Sequence, residues 1–353
     1  MKIGILTFHR AVNYGAVLQA YALQKVIELM GHDAEIIDYR CSFIEAEVSP
    51  LAGFRNKKGF VSAMKQMIFR CKKNIAFSGF MKKFVNLSKR YSSKKNMSEL
   101  EEQYDRFITG SDQVWNFGCS GSDSTYFLDF VKEPRKKNSY AASFGFDKLP
   151  QGDPFDYSIL LRDFYKMSVR EQSAAKIVEE KTGILPMVTL DPTLILDSDE
   201  WKKLVQKRPC KEKYIFVYYI REPKDLLDYA YKLAEEKGCK VINSKKSMEF
   251  LSKCSPQDFL TWFYYADYVV TNSFHGTVFS ILFEKQFAIE LDNGKSVNNR
   301  SKELLQLLKI FNREVDIKDR NKIDDKIEYS EAKRRLLENR NKSLEFVKSI
   351  VDA

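Results

Sequence analysis

The stretch DYVVTNSFHGTVFSILFEK holds a histidine where acid/base chemistry is readily arranged. An apolar strand ends at Thr271 and Asn272, Ser273 can cap the helix that follows, and Phe274, His275 and Gly276 fill that helix's first turn. The N–H groups of a helix N-terminus attract an anion, and the local dipole disfavours an imidazolium until one arrives. His275 is therefore placed to change protonation state as a charged substrate binds. A histidine that only holds a neighbouring loop is the bland alternative, and the strand-end, helix-start position weighs against it. Gly276 permits close backbone approach.

Other strand ends add polar groups. SVREQSAAKI sets Arg170 and Glu171 at a helix start, where the arginine can hold a carboxylate or phosphate in two bonds, or simply pair with its neighbour. TLDPTLIL places Asp191, Pro192 and Thr193 in a strand break. The opening ILTFHRAVNYGAVLQAYALQ carries His9 and Arg10 at the end of a strand, then Asn13 as a helix cap, Tyr14, and Gly15 for close approach. His32, after the helix-closing Gly31, lies at the opposite end of that sheet and reads as solvated surface. The sequence has no G-x-G-x-x-G, P-loop or G-x-S-x-G motif and no metal-ligand triad, so the dinucleotide, NTPase and hydrolase readings lack their usual handles and no metal is expected.

Alternating strands and helices must position these residues. KIGILTF, a helix over YGAVLQAYALQKVIELMG and the strand AEIIDY form a βαβ opening, hence a parallel sheet. The Lys-rich segment from about residue 50 to 100 predicts one or two amphipathic helices packed on their own domain, and the sheet resumes in DRFITGS and KNSYAASFG. After the turn-rich DKLPQGDPFD a second series follows, with strands KMSVR, MVTLDPTLIL, KYIFVYYI, CKVINS, DYVVTNS and QFAIEL. The expected organisation is a first Rossmann-like domain over residues 1–160, a second over 161–325, and a C-terminal helix over 326–353.

Composition bounds the rest. At 353 residues with 44% hydrophobic and 30% charged residues, the chain can bury two ordinary cores, which excludes fibrous and disordered classes. A formal charge of +10, concentrated between Arg55 and Lys95, suits anionic lipid or phosphorylated substrates. No nucleic-acid signature accompanies it, so nucleic acid is not an expected partner. Six scattered cysteines form no C-x-x-C pair, and the first apolar run, Ile3 to Phe8, is too short for a leader or a span, so a cytosolic, reduced protein is expected.

The motifs ILTFHRAVNYGAVLQAYALQ, FITGSDQVWN, YAASFG, SVREQSA, DPTLIL and TNSFHGTVFSILFEKQF, in that order, resemble the polysaccharide pyruvyl transferase family from about Ile3 to Phe287. The resemblance implies an α/β fold of two Rossmann-like domains facing a cleft, as in GT-B glycosyltransferases, with the C-terminal helix packing back on the first domain. It also implies transfer of a pyruvyl group from phosphoenolpyruvate to two hydroxyls of one sugar, giving a cyclic ketal on a cell-surface polysaccharide precursor. On this reading His275 is the catalytic acid/base, and Arg170, Asn272, Ser273, Gly276 and Arg300 hold the donor. His9, Asn13, Tyr14 (against a sugar ring), Gly15, Ser111, Asp112, Trp115 and Asn116 line the acceptor side. Several members carry an arginine two residues before the histidine; here that position is Ser273, and Arg170 and Arg300 are its nominated substitutes. No cofactor is implied beyond phosphoenolpyruvate as donor. The expected acceptor is a lipid-linked oligosaccharide, met by a cytoplasmic protein resting on the inner membrane face. Two alternatives remain: a nucleotide-sugar glycosyltransferase of the same fold, with Glu284 or Glu290 gripping a ribose, and a catalytically silent glycan-binding member.

Overall fold

The structure is a computed structural model, which describes residues 1–55, 60–291, 299–315 and 326–352. It divides into two compact units, Met1–Leu196 with Arg340–Ala353, and Asp197–Asn339.

The first unit is built on seven parallel strands: β1 (Lys2–Leu6), β2 (Asp33–Tyr39), β3 (Leu87–Tyr91), β4 (Arg106–Thr109), β5 (Lys137–Ala142), β6 (Lys166–Val169) and β7 (Met187–Val188). Their order across the sheet is β3-β2-β1-β4-β5-β6-β7. The direction of winding reverses between β1 and β4, and ligands of such sheets bind beyond the strand carboxyl ends at that point. The first helix, α1 (Tyr14–Leu29), starts where Asn13 accepts from the N–H of Gly15 at 2.9 Å, and Gly31 at φ 88° turns the chain into β2. Two further helices, α2 (Ser42–Val48) and α3 (Phe60–Phe84), follow β2.

The second unit carries β8 (Tyr214–Tyr218), β9 (Lys240–Asn243), β10 (Tyr268–Thr271) and β11 (Gln286–Ile289), all parallel, in the order β11-β10-β8-β9. Its switch point lies between β10 and β8. The helix Pro256–Tyr265 begins with a reciprocal Ser255 and Asp258 capping box.

The expected division at residue 160 is corrected to Leu196/Asp197. The turn-rich segment before it is a crossover within one sheet: β6 pairs with β5, Asn138 opposite Lys166 and Ala142 opposite Val169. Turn composition marks a connection and does not say whether the next strand stays in the same sheet. The expected limit at residue 325 lies outside the described residues. The strand read in MVTLDPTLIL shortens to Met187–Val188, because Asp191 accepts from the Thr193 N–H at 3.0 Å and Pro192 presets the first position of a helical turn over Pro192–Ile195. The Lys-rich segment also contributes β3, which its composition does not announce.

The final helix, Tyr329–Val351, belongs to the second unit through Asn339 and to the first from Arg340. Its last turns are tied into the first unit. Arg340 Nε donates to the Leu194 carbonyl at 2.9 Å, the Leu190 N–H donates to Ser343 Oγ at 3.0 Å, and Phe346 tilts against Tyr140. Among the described residues, no helix is long and apolar enough to cross a membrane.

Candidate active site

His275 sits at the switch point of the second sheet. It is the second residue of the helix Phe274–Leu282, directly after β10, and only 9% exposed. Ser273 caps that helix by accepting from the Gly276 N–H at 3.4 Å. Thr271 at the end of β10 locks the entry: its Oγ1 donates to the Tyr218 carbonyl of β8 at 2.6 Å and accepts from the Ser273 N–H at 3.1 Å. A Cβ on Gly276 would stand 2.2 Å from that same Oγ1, so the turn requires glycine. Phe274 meets the His275 ring edge-on at 5.1 Å.

Asn272 is structural in its side chain. Its Oδ1 accepts from the Ile220 N–H at 3.0 Å and its Nδ2 donates to the Arg221 carbonyl at 3.3 Å, stitching the loop after β10 to the loop after β8. The same stitch brings up Arg221, whose Nη2 donates to the Asn272 carbonyl at 3.4 Å. Arg300 lies over the Phe274 ring at 5.5 Å. Two guanidinium groups thus accompany the helix start that bears His275. Arg221 escaped the sequence reading, although KYIFVYYI running directly into an arginine is the same strand-end signal that exposed His275.

Arg170 is corrected. It lies in the first unit, at the end of β6, and is 7% exposed. Its Nη1 donates to Asp191 Oδ2 at 3.0 Å, and its Nε lies 3.4 Å from Glu171 Oε2. Burial opposes the guanidinium's charge, but Glu171 and Asp191 outweigh it and raise the pKa above the ordinary value. Two carboxylates of the first unit already pair with this cation.

The first unit has its own cavity, about 750 Å³, at its switch point. Phe8, Val12 and Asn13 line it after β1, Phe43 and Glu47 from α2 after β2, and Asp112 and Gln113 after β4. The helix α3 closes it with Gln66, Phe69, Arg70, Lys73 and Asn74, a wall that the sequence reading did not assign. Lys73 lies over the Tyr14 ring at 5.1 Å and donates to the Val12 carbonyl at 3.3 Å, while Arg70 donates to the Glu47 carbonyl at 2.9 Å. Asp112 holds the left-handed conformation, φ 77°, and bridges to Ala142 beside Ala141 at φ 48°. Such strain in non-glycine residues collects at functional loops.

Of the residues expected on the acceptor side, Asn13 and Asp112 line this cavity. The others are not among its lining residues. His9 is 2% exposed, with Nε2 2.9 Å from Asp38 Oδ1 and Nδ1 3.2 Å from the Thr7 carbonyl. Ser111 donates to Asp191 at 3.0 Å, and Trp115, fully buried, stacks on Phe127 at 5.7 Å. Asn116 caps the turn Phe117–Ser120. Tyr14 is buried against Phe77 at 4.9 Å, which leaves no open face for a sugar, and Gly15 is buried in the first turn of α1. The six cysteines are free thiols, and among the described residues no cluster of His, Cys, Asp or Glu could hold a metal.

The sequence matches the family model described as polysaccharide pyruvyl transferase over residues 13–289. The chain belongs to this family. As a polysaccharide pyruvyl transferase family member it is a transferase, and its fold is α/β with two parallel sheets. A protein described as a UDP-N-acetylglucosamine 2-epimerase from Listeria monocytogenes is similar to it at 9% identity and a TM-score of 0.51, over 98% of this chain and 90% of that one. ADP-heptose lipopolysaccharide heptosyltransferase II from E. coli is similar at 12% identity and a TM-score of 0.40, over 99% and 100%. No curated protein matches the chain significantly.

Proposed function

We propose that this pyruvyl transferase family member moves the pyruvyl group of phosphoenolpyruvate onto two hydroxyls of one sugar in a cell-surface polysaccharide precursor, with His275 as the acid/base. The observation that carries this reading is the set around the second switch point: His275 in the first turn of a capped helix, with Arg221 on the preceding carbonyl and Arg300 over the adjacent ring. In the first step a sugar oxygen bonds to the donor's central carbon, the carbon–carbon double bond delivers its electron pair to the methylene, and His275 supplies the proton. That ring recovers its proton from the attacking hydroxyl. The carbon–oxygen bond to phosphate then breaks with its electron pair going to phosphate, the second hydroxyl attacks, and its proton leaves with the phosphate. Arg221, Arg300 and the N–H groups of the helix start match the donor's carboxylate and phosphate. The cavity of the first unit, whose walls mix apolar and amide side chains, is the proposed acceptor site. The acceptor is proposed to be a lipid-linked oligosaccharide at the cytosolic membrane face. No cofactor is invoked.

The residues nominated for the nucleotide-sugar alternative already make contacts of their own. Glu290 Oε2 accepts from the N–H groups of Lys224, Asp225 and Leu226 at 3.0, 2.7 and 2.8 Å, filling the start of the helix Leu226–Lys237 with a carboxylate. Glu284 pairs with Lys333 at 2.8 Å. Mass spectrometry of lipid-linked acceptors incubated with phosphoenolpyruvate should show the ketal mass increment and matching phosphate release, both lost in His275→Asn. Nucleotide release from sugar nucleotides, or undiminished phosphate release by His275→Asn, would overturn the reading.

A further inference from the structure

The outer face of α3 does not fit a helix that meets only water. No aspartate or glutamate occurs between Ser49 and Ser98, and α3 itself carries Lys65, Arg70, Lys72, Lys73, Lys82 and Lys83. Its inner face is spent on the first unit: Ala63, Phe77, Phe80 and Met81 are buried, with Phe77 against Tyr14 and Phe80 against Tyr21 at 5.9 Å. The opposite face is apolar as well. Val61, Ile68 and Ile75 are 67%, 61% and 73% exposed. Their spacing of seven stacks them along one edge, spanning about 21 Å. Lys65 and Lys72, each four residues beyond an exposed aliphatic, continue the same edge, as does Lys82 seven residues past Ile75. A water-facing helix surface is ordinarily polar, and here three aliphatics alternate with lysines and no acid.

We propose that this edge of α3 docks the protein on an anionic phospholipid surface. Val61, Ile68 and Ile75 enter the boundary between headgroups and acyl chains, and Lys65, Lys72 and Lys82 meet the lipid phosphates. Charge complementarity selects this occupant. A second copy of the chain would bring two acid-free lysine stripes together, and a nucleic acid offers nothing to three aliphatic side chains. The far side of the same helix supplies Gln66, Phe69, Arg70, Lys73 and Asn74 to the cavity. Docking therefore holds one wall of the proposed acceptor site at the lipid surface, where a lipid-linked sugar would be presented. That consequence rests on the functional reading given above, whereas the docking itself does not.

The test is co-sedimentation of the full chain with vesicles of phosphatidylcholine alone and of phosphatidylcholine with phosphatidylglycerol, at low and high salt. Wild type should bind the anionic vesicles, more weakly as salt rises. The variant V61S/I68S/I75S should bind at least about tenfold more weakly, and K65Q/K72Q should also weaken binding and flatten its salt dependence. Both variants should keep the wild-type Tm and wild-type phosphate release with a water-soluble acceptor fragment. Absent binding by wild type, or undiminished binding by the aliphatic variant, would overturn the proposal. So would a wild-type dimer that the aliphatic variant dissolves, since the edge would then join two copies. Binding without pyruvylation would sink the functional reading alone, and pyruvylation without binding would sink the docking alone.

Discussion

Arg221 donates through Nη2 to the main-chain oxygen of Asn272 at 3.4 Å, which fixes a cation on the loop three residues ahead of His275. On the function proposed above, Arg221 supplies from the neighbouring strand end a positive charge that Ser273 cannot. Arg221→Ala should raise the KM for phosphoenolpyruvate about 10- to 100-fold, the range set by loss of one or two charge-assisted bonds. Arg221→Lys should recover only part of this, because an ammonium cannot reproduce the planar fork. Arg170→Ala is the contrast. It leaves Asp191 and Glu171 buried without their cation and should lower the Tm. Steady-state kinetics and thermal unfolding of the three variants separate the two roles, and a donor KM unchanged in Arg221→Ala would remove Arg221 from the site.

Gly276→Ala is expected to disable the site by sterics. The new methyl would meet Thr271 Oγ1 at 2.2 Å, and that oxygen cannot yield without breaking its bonds to the Tyr218 carbonyl and the Ser273 N–H. Overpacking of this kind costs about 1–3 kcal/mol. The first turn of the helix, and His275 with it, should shift, so transferase activity should fall together with stability. Removing the obstructing hydroxyl in T271A/G276A should restore part of the lost stability, a non-additivity readable in urea denaturation. Strictly additive losses would show that the clash is not the cause.

How far the sequence disclosed these features depends on what each one rests on. The strand-helix alternation and the His275 turn were legible because Ser273, Gly276 and the apolar period are local signals. The unit boundary was not, since pairing of β6 with β5 is decided by residues nearly thirty positions apart. Ser111, Trp115 and Tyr14 carry the side chains of a binding loop, yet Ser111 bonds Asp191, Trp115 stacks on Phe127 and Tyr14 packs on Phe77. A motif shared across a family does not separate residues that touch ligand from residues that hold the loop. The edge of α3 was hidden for a different reason: apolar residues on both faces blur the helical period, so only the packing shows which face is left outside.

The Asp38 carboxylate should govern the acid limit of the first unit. Burial alone would raise its pKa, but hydrogen bonds from His9 at 2.9 Å and from Arg40 Nη2 at 2.8 Å outweigh it and hold the value well below the ordinary carboxylate range. A depressed folded-state pKa stabilises the fold above the unfolded value of about 3.9, and the contribution is lost as pH falls through the folded value. Asp38→Asn leaves Arg40 without its counter-charge and His9 without its carboxylate partner, and should cost about 3 kcal/mol at neutral pH. The stability gap between wild type and variant should stay constant above about pH 5 and narrow progressively below about pH 4. Chemical denaturation across that range measures the gap directly. A gap that widened on acidification would mean that the carboxylate is protonated in the folded protein, contrary to the sign derived from its hydrogen bonds with His9 and Arg40.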